Sequence, residues 1–308
     1  MVPVNPQALK VGLYIPNGDG TMSPTAKRWK DVLALTVAAE SAGLDSVWVA
    51  DHMIFDYPDT PIQGRWECWS VLAAMAQATT RIEIGPLVTC AGFRNPALLA
   101  KTAETVDEIS NQRLVLGLGA GWHEPEFVSY GFPYDRRASR FEEQFQIIYN
   151  LIRQGHVDFT GEFESAPNCY LRPRGPRGAT MPIMIGTDGP RLLKVAARYA
   201  DIWNTTWTHS VDEVLPRIAA LDAACDNVGR DPESIARSCC VFLDLDDAEG
   251  VWYSGGISTP NPRNVNQAAE FLASYAEAGI SHVMLWLDPG TLDSVELAGE
   301  IVAALRSS

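Results

Sequence analysis

The chain predicts an α/β fold of the (β/α)8 barrel type, a TIM barrel, on three observations. Eight short apolar runs with strand character alternate with longer segments of helical spacing. No shift in composition marks a second domain, and 308 residues with 46% apolar content suit one barrel domain spanning 1–308.

The expected strands are Lys10–Ile15, Ser46–Ala50, Ile82–Thr89, Leu114–Leu118, Ile183–Ile185, Ile202–Asn204, Ser238–Leu243 and Val283–Leu287. Their nearly unbroken apolar character fits parallel strands covered on both faces. Helical spacing follows over Thr25–Ala42, Trp69–Ala78, Ala138–Arg153, Pro190–Tyr199, Val211–Val228, Val265–Ala278 and Leu292–Leu305, with Gly43, Gly229 and Gly279 as stops. A further helix opens at Asn95-Pro96, where Asn caps and Pro takes the first helical position. Two long segments break the alternation and are expected as insertions over the C-terminal face of the strands. Gly155–Thr180 holds a short hairpin around Thr160-Gly161-Glu162 and then the run LRPRGPRG; Asp244–Arg263 is rich in Gly and Pro.

A net charge of −14 argues against a nucleic-acid partner or an anionic membrane surface. The N-terminal stretch has no basic region followed by a long apolar run, so a cytoplasmic protein is expected, without signal peptide or membrane span. Six cysteines without a C-x-x-C pair read as buried free thiols, and Cys239 and Cys240 should point to opposite faces of one strand. The five histidines show no ligand spacing, so no metal site is expected.

Active sites of such barrels lie at the C-terminal ends of the strands. The second strand ends in Asp51-His52, an ionisable pair where a packed residue would be apolar. Gly119-Ala120-Gly121 after the fourth strand lets something flat or charged approach the backbone. GLGAGW lacks the third glycine of a dinucleotide fingerprint. Gly186-Thr187-Asp188-Gly189-Pro190 is a Gly-bracketed turn at a helix start, an anion site suited to phosphate, with Asp188 as a cap turned away. Trp66 and Trp122 either line a substrate pocket or pack.

The motifs IGPLVT, RNPALLAKTAETVDEIS and RLVLGLGAGW resemble the luciferase-like monooxygenase superfamily, whose members include flavin-dependent monooxygenases and deazaflavin (coenzyme F420)-dependent oxidoreductases. SVWVADHM and MPIMIGTDGPRLLKVAARYADIWN are similar to that family's second-strand end and phosphate segment, so the resemblance runs from about residue 10 to about residue 205. It implies a cofactor site made by Asp51, His52, Val88, Thr89, Gly119, Ala120, Gly121, Gly186, Thr187, Asp188, Gly189 and Pro190. His52 would face the ring and exchange a proton, and Thr89 would offer its hydroxyl to a ring heteroatom. A non-proline cis peptide often occurs in the family near Val88-Thr89-Cys90-Ala91. Some members carry a catalytic glutamate after the fourth strand; this chain has Trp122 there, with Glu124 and Glu126 beyond, so that role does not transfer.

ADHM and GAGW resemble the deazaflavin branch more than the luciferases. The expected activity is therefore coenzyme F420-dependent hydride transfer to or from a small organic substrate, with Arg172, Arg174, Arg177, Arg191 and Lys194 supplying positive charge for the cofactor tail. The alternatives are an FMN-dependent monooxygenase fed by a separate flavin reductase, and a non-catalytic flavin-binding barrel. A homodimer is compatible with the family.

Overall fold

The computed structural model describes residues 5, 8–19, 27–245 and 264–307. Eight parallel strands form the barrel: β1 (Lys10–Tyr14), β2 (Ser46–Val49), β3 in two segments (Glu83–Pro86 and Thr89–Cys90), β4 (Leu116–Gly119), β5 (Ile183–Gly186), β6 (Ile202–Thr208), β7 (Ala236–Asp244) and β8 (His282–Asp288). The ring closes at β3. Its first segment pairs with β2 and bridges to Leu114, and its second pairs Thr89 with Leu118 and Cys90 with Gly119. Between the segments the Leu87–Val88 peptide is cis, as the family resemblance implies.

All eight expected strands are present, with ends shifted by a few residues. The largest shift is in β6, which continues past Asn204 to Thr208. The helices are α1 (Trp29–Ser41), α2 (Cys68–Ala78), α3 (Pro96–Ile109), α4 (Glu124–Tyr130), α5 (Arg137–Gln154), α6 (Pro190–Tyr199), α7 (Val211–Val228), α8 (Val265–Glu277) and α9 (Leu292–Ser307). Asn95 caps α3 by accepting the Leu98 N–H at 3.0 Å, and Gly43, Gly229 and Gly279 end α1, α7 and α8 at positive φ. The short α4 was not expected from the sequence, although Pro125 in its first turn and Gly131 after its last are ordinary start and stop residues. No helix among the described residues is long and apolar enough to cross a membrane.

Side chains alternate between the helix-facing shell and the barrel interior. Cys239 joins the shell and Cys240 the interior, so the two thiols do face opposite ways, and all six cysteines are free. The expected hairpin is His156–Thr160 with Ser165–Tyr170. Its tip packs along α5, where Glu143 accepts the N–H groups of residues 162–164. The segment after it does not cover the C-terminal face, contrary to expectation. Arg177 bonds the Leu114 carbonyl at 2.6 Å and Arg153 bonds the Met181 carbonyl at 2.7 Å, which puts this segment at the N-terminal ends of β4 and β5. The chain is there entering a strand, so topology requires that end. The other expected insertion lies outside the described residues beyond Leu245, together with Trp252 and Tyr253.

The barrel floor is polar and fully buried. Ser46 Oγ lies 2.7 Å from His282 Nε2 and accepts from Trp48 Nε1 at 2.7 Å. Burial, with Lys10 adding to it, pushes the His282 pKa down to about 3. An unfolded histidine titrates near its ordinary value of about 6.5, so between these limits the unfolded chain binds more protons than the folded one. The contribution of neutral His282 is thus complete above about pH 6.5 and is lost as pH falls towards 3. Between pH 7 and 5 this one group should remove about 2 kcal/mol of stability. Urea denaturation at the two pH values checks it. His282→Gln should shrink the difference by about that amount, and an unchanged difference would assign the acid sensitivity elsewhere.

Candidate active site

A cavity of about 700 Å3 opens at the C-terminal ends of the strands, within the range usual for small-molecule sites. Every barrel strand or its end contributes to the wall, from Tyr14 at the end of β1 through His52, Val88, Gly119, Gly186, Trp207 and Phe242 to Trp286 in β8.

His52 leaves β2 and is held by a residue 74 positions away. Its Nδ1 lies 2.8 Å from Glu126 Oε1, and the other carboxylate oxygen accepts the Met53 N–H at 2.9 Å. The Glu126 side chain is 1% exposed and that of His52 17%. A carboxylate receiving two donors fixes the imidazole with its proton on Nδ1, leaving Nε2 as the acceptor. Among the described residues Nε2 has no hydrogen-bond partner. Trp122 stands edge-on to the imidazole at 5.5 Å and Phe55 tilts against it at 4.4 Å, so the ring cannot turn freely. His123 is a different kind of histidine. Its Nε2 accepts the Asp56 N–H at 3.0 Å, and burial lowers its pKa, keeping it neutral and structural.

The same cavity is bordered by a strip of bare backbone. A Cβ on Gly119 would stand 2.7 Å from Val88 Cγ2 and one on Gly186 3.0 Å from it; on Gly121, at φ 72°, it would stand 2.5 Å from Cys90 Sγ. A side chain would thus be crowded at Gly119 and Gly186 and strained as well at Gly121, and glycine leaves the strand ends open to a flat ligand. Gly119, Ala120, Gly121, Val88, Gly186, Thr187 and Asp188 all border the cavity. Gly189 and Pro190 stand just outside, at the start of α6. The Gly189 N–H donates to Thr187 Oγ1 at 3.2 Å, and Asp188 pairs with Arg217 at 3.6 Å.

The remaining expectations divide. Asp51 borders the cavity, but both carboxylate oxygens are held by Arg94, at 2.6 and 2.8 Å, and Oδ2 also accepts the Cys90 N–H at 2.9 Å. Burial pushes its carboxyl pKa up against the pull of Arg94. Asp51 thus ties the end of β2 to the second segment of β3, beside His52. Thr89 is fully buried outside the cavity wall, and its hydroxyl has no partner among the described residues. Trp122 lines the cavity at 53% exposure, whereas Trp66, 50% exposed, donates to the Lys27 carbonyl at 2.6 Å and lies outside it.

The expected cationic cluster is not assembled. Arg177 pairs with Asp107 at the opposite end of the barrel, Arg174 reaches the Ile152 carbonyl, and Arg191 is paired with Glu142. A cation that does meet the Gly186–Gly189 turn is Arg217, through Asp188. Sequence reasoning also missed the wall formed by Tyr14, Trp207, Phe242 and Trp286. The register between β6 and β7 shifts between Thr205 and Thr208, and Trp207 sits in that bulge at φ 53°. Bulges commonly re-aim a side chain in this way.

Residues 9–253 match the sequence model of the luciferase-like monooxygenase family, and the chain belongs to that family. Among curated relatives, it is 30% identical over 240 residues to a phthiodiolone/phenolphthiodiolone dimycocerosates ketoreductase of Mycobacterium kansasii, covering 69% of this chain and 64% of that protein. It is 33% identical over 180 residues to an F420-dependent glucose-6-phosphate dehydrogenase of Amycolatopsis mediterranei (strain U-32), covering 56% of this chain and 52% of that one. The matches thus span less than two thirds of these relatives' lengths. Among solved structures, an F420-dependent secondary alcohol dehydrogenase in complex with an F420-acetone adduct superimposes with a TM-score of 0.80 at 21% identity, covering 97% of this chain and 99% of that one, which establishes the shared fold.

Proposed function

We propose that the protein is a deazaflavin (coenzyme F420)-dependent oxidoreductase that moves a hydride to or from a carbinol or carbonyl carbon. The observation that carries this reading is the His52–Glu126 pair, which leaves Nε2 as an acceptor without a partner among the described residues, on a cavity also bordered by bare backbone. The sequence relatives support the cofactor branch: one is named for its use of F420 and another as a ketoreductase.

The residues present fit such a cofactor. Gly119, Gly121 and Gly186 keep side chains off the strand ends, Val88 would back the ring, and the turn at Thr187–Gly189 with the first turn of α6 would hold the phosphate. When bound, the deazaflavin supplies two-electron hydride transfer at a ring carbon. His52 Nε2 would take the hydroxyl proton of an alcohol as the hydride leaves carbon, and would return it in the direction of ketone reduction. Glu126 would steady the imidazolium that forms, because its carboxylate is buried and fixed. The aromatic wall would exclude water.

Titration of the purified protein with reduced deazaflavin and, separately, with reduced FMN tests the choice of cofactor. Tighter binding of the deazaflavin is expected. Preference for FMN would favour the monooxygenase reading, and binding of either without turnover of any alcohol or ketone would favour a non-catalytic barrel. Arg191 is paired with Glu142, Arg177 lies at the opposite end of the barrel and Arg217 is paired with Asp188, so salt should affect binding weakly.

A further inference from the structure

The cavity has two chemically distinct sides. One carries His52 and the glycine strip. The other is a continuous aromatic surface built from four strand ends that meet across the barrel: Tyr14, Trp207, Phe242 and Trp286. Tyr14 and Trp286 are stacked at 4.7 Å with 19° between their planes. Trp207 stands edge-on to Trp286 at 4.4 Å and to Tyr14 at 5.8 Å, and Phe242 lies 5.2 Å from Trp207.

Resting on the function proposed above, we infer that this wall is the substrate's specificity site and that it takes a flat, uncharged aromatic ring attached to the reacting carbon. Three observations carry the inference. First, the wall is made on purpose: the β6 bulge holds Trp207 in a left-handed conformation that a bulky side chain rarely adopts, and the register shift places it among these rings. Second, offset and edge-on packing favours another aromatic ring over a saturated group of the same skeleton. Third, Arg65 also lines the cavity, where its charge acts on the buried Tyr14 hydroxyl, and its guanidinium sits 5.0 Å from the Phe55 ring centre. A cation at the wall would be repelled by it, so the aromatic surface is not a cage for an ammonium group. The cofactor ring is better served by the other side, where backbone is bare and the α6 turn is adjacent.

The test compares 2-acetylnaphthalene with 2-acetyldecalin, which share a carbon skeleton but differ in flatness, by calorimetric titration of the protein with and without deazaflavin. The flat ketone should bind at least about tenfold more tightly, in line with several aromatic contacts. Trp207→Leu and Trp286→Leu should each reduce that preference to about twofold or less while leaving deazaflavin affinity within about twofold; Trp207→Phe should keep most of it. If a Leu variant fails to fold by circular dichroism, the Trp207→Phe and Trp286→Phe pair provides the graded comparison. Equal binding of the two ketones overturns the assignment. So does a preference that survives both Leu substitutions, a loss confined to deazaflavin affinity, or tighter binding of tetramethylammonium than of the flat ketone. Titration without cofactor keeps the outcomes separate: if the parent binds no deazaflavin but still prefers the flat ketone, the proposed cofactor fails and the aromatic site stands.

Discussion

His52→Ala should lower kcat by about two orders of magnitude or more, the usual scale for losing a general acid–base group, while cofactor affinity stays within a few fold. The imidazole is the group placed to move the proton: Glu126 holds Nδ1 at 2.8 Å, and Nε2 is left without a partner among the described residues. Glu126→Gln preserves the shape of the pair but removes the charge that steadies an imidazolium, and should cost about tenfold or more in kcat. Full activity of His52→Ala, measured in single-turnover experiments, would reduce His52 to a contact on the cavity wall.

Gly189→Val should weaken deazaflavin binding more than about tenfold without loss of fold stability. The two effects separate cleanly at this position because a Cβ on Gly189 meets no protein atom closer than Thr187 Oγ1 at 3.9 Å. The backbone there is extended at φ −76°, which any residue tolerates. A side chain would therefore obstruct only what approaches from outside, at the N-terminus of α6. A variant with unchanged Tm and unchanged affinity would place the phosphate elsewhere on the rim.

The barrel was legible because each level of the sequence agrees with it: apolar runs for strands, Asn95-Pro96 for a helix start, and Gly43, Gly229 and Gly279 for helix ends. The glycine strip and His52 were legible for a related reason, since residues at strand ends in a barrel converge on one cavity. What stayed hidden was pairing at a distance. Glu126 sits in the first turn of a helix of only seven residues and meets His52 from 74 positions away, and Asp188 finds Arg217 on α7. The run LRPRGPRG looked like a cationic cover, yet it leads into β5 and so lies at the strands' N-terminal ends, a conclusion the strand order alone would have permitted. Trp207 was missed because the strand pattern fades at Asn204, where the bulge interrupts the alternation that marks a strand. Thr89 shows the opposite case: the residue is beside the cavity in sequence, but it is fully buried and does not border the cavity, whereas Val88 and Cys90 do.

The central claim is that the His52 side of this cavity serves hydride transfer rather than oxygen activation. The most direct measurement follows deazaflavin absorbance and dissolved oxygen together while the protein turns over a secondary alcohol or its ketone. The account predicts reduction or oxidation of the deazaflavin in step with substrate, at the same rate in air and under argon, and no oxygen uptake. Substrate-dependent oxygen uptake with reduced FMN, together with no change in the deazaflavin, would contradict it.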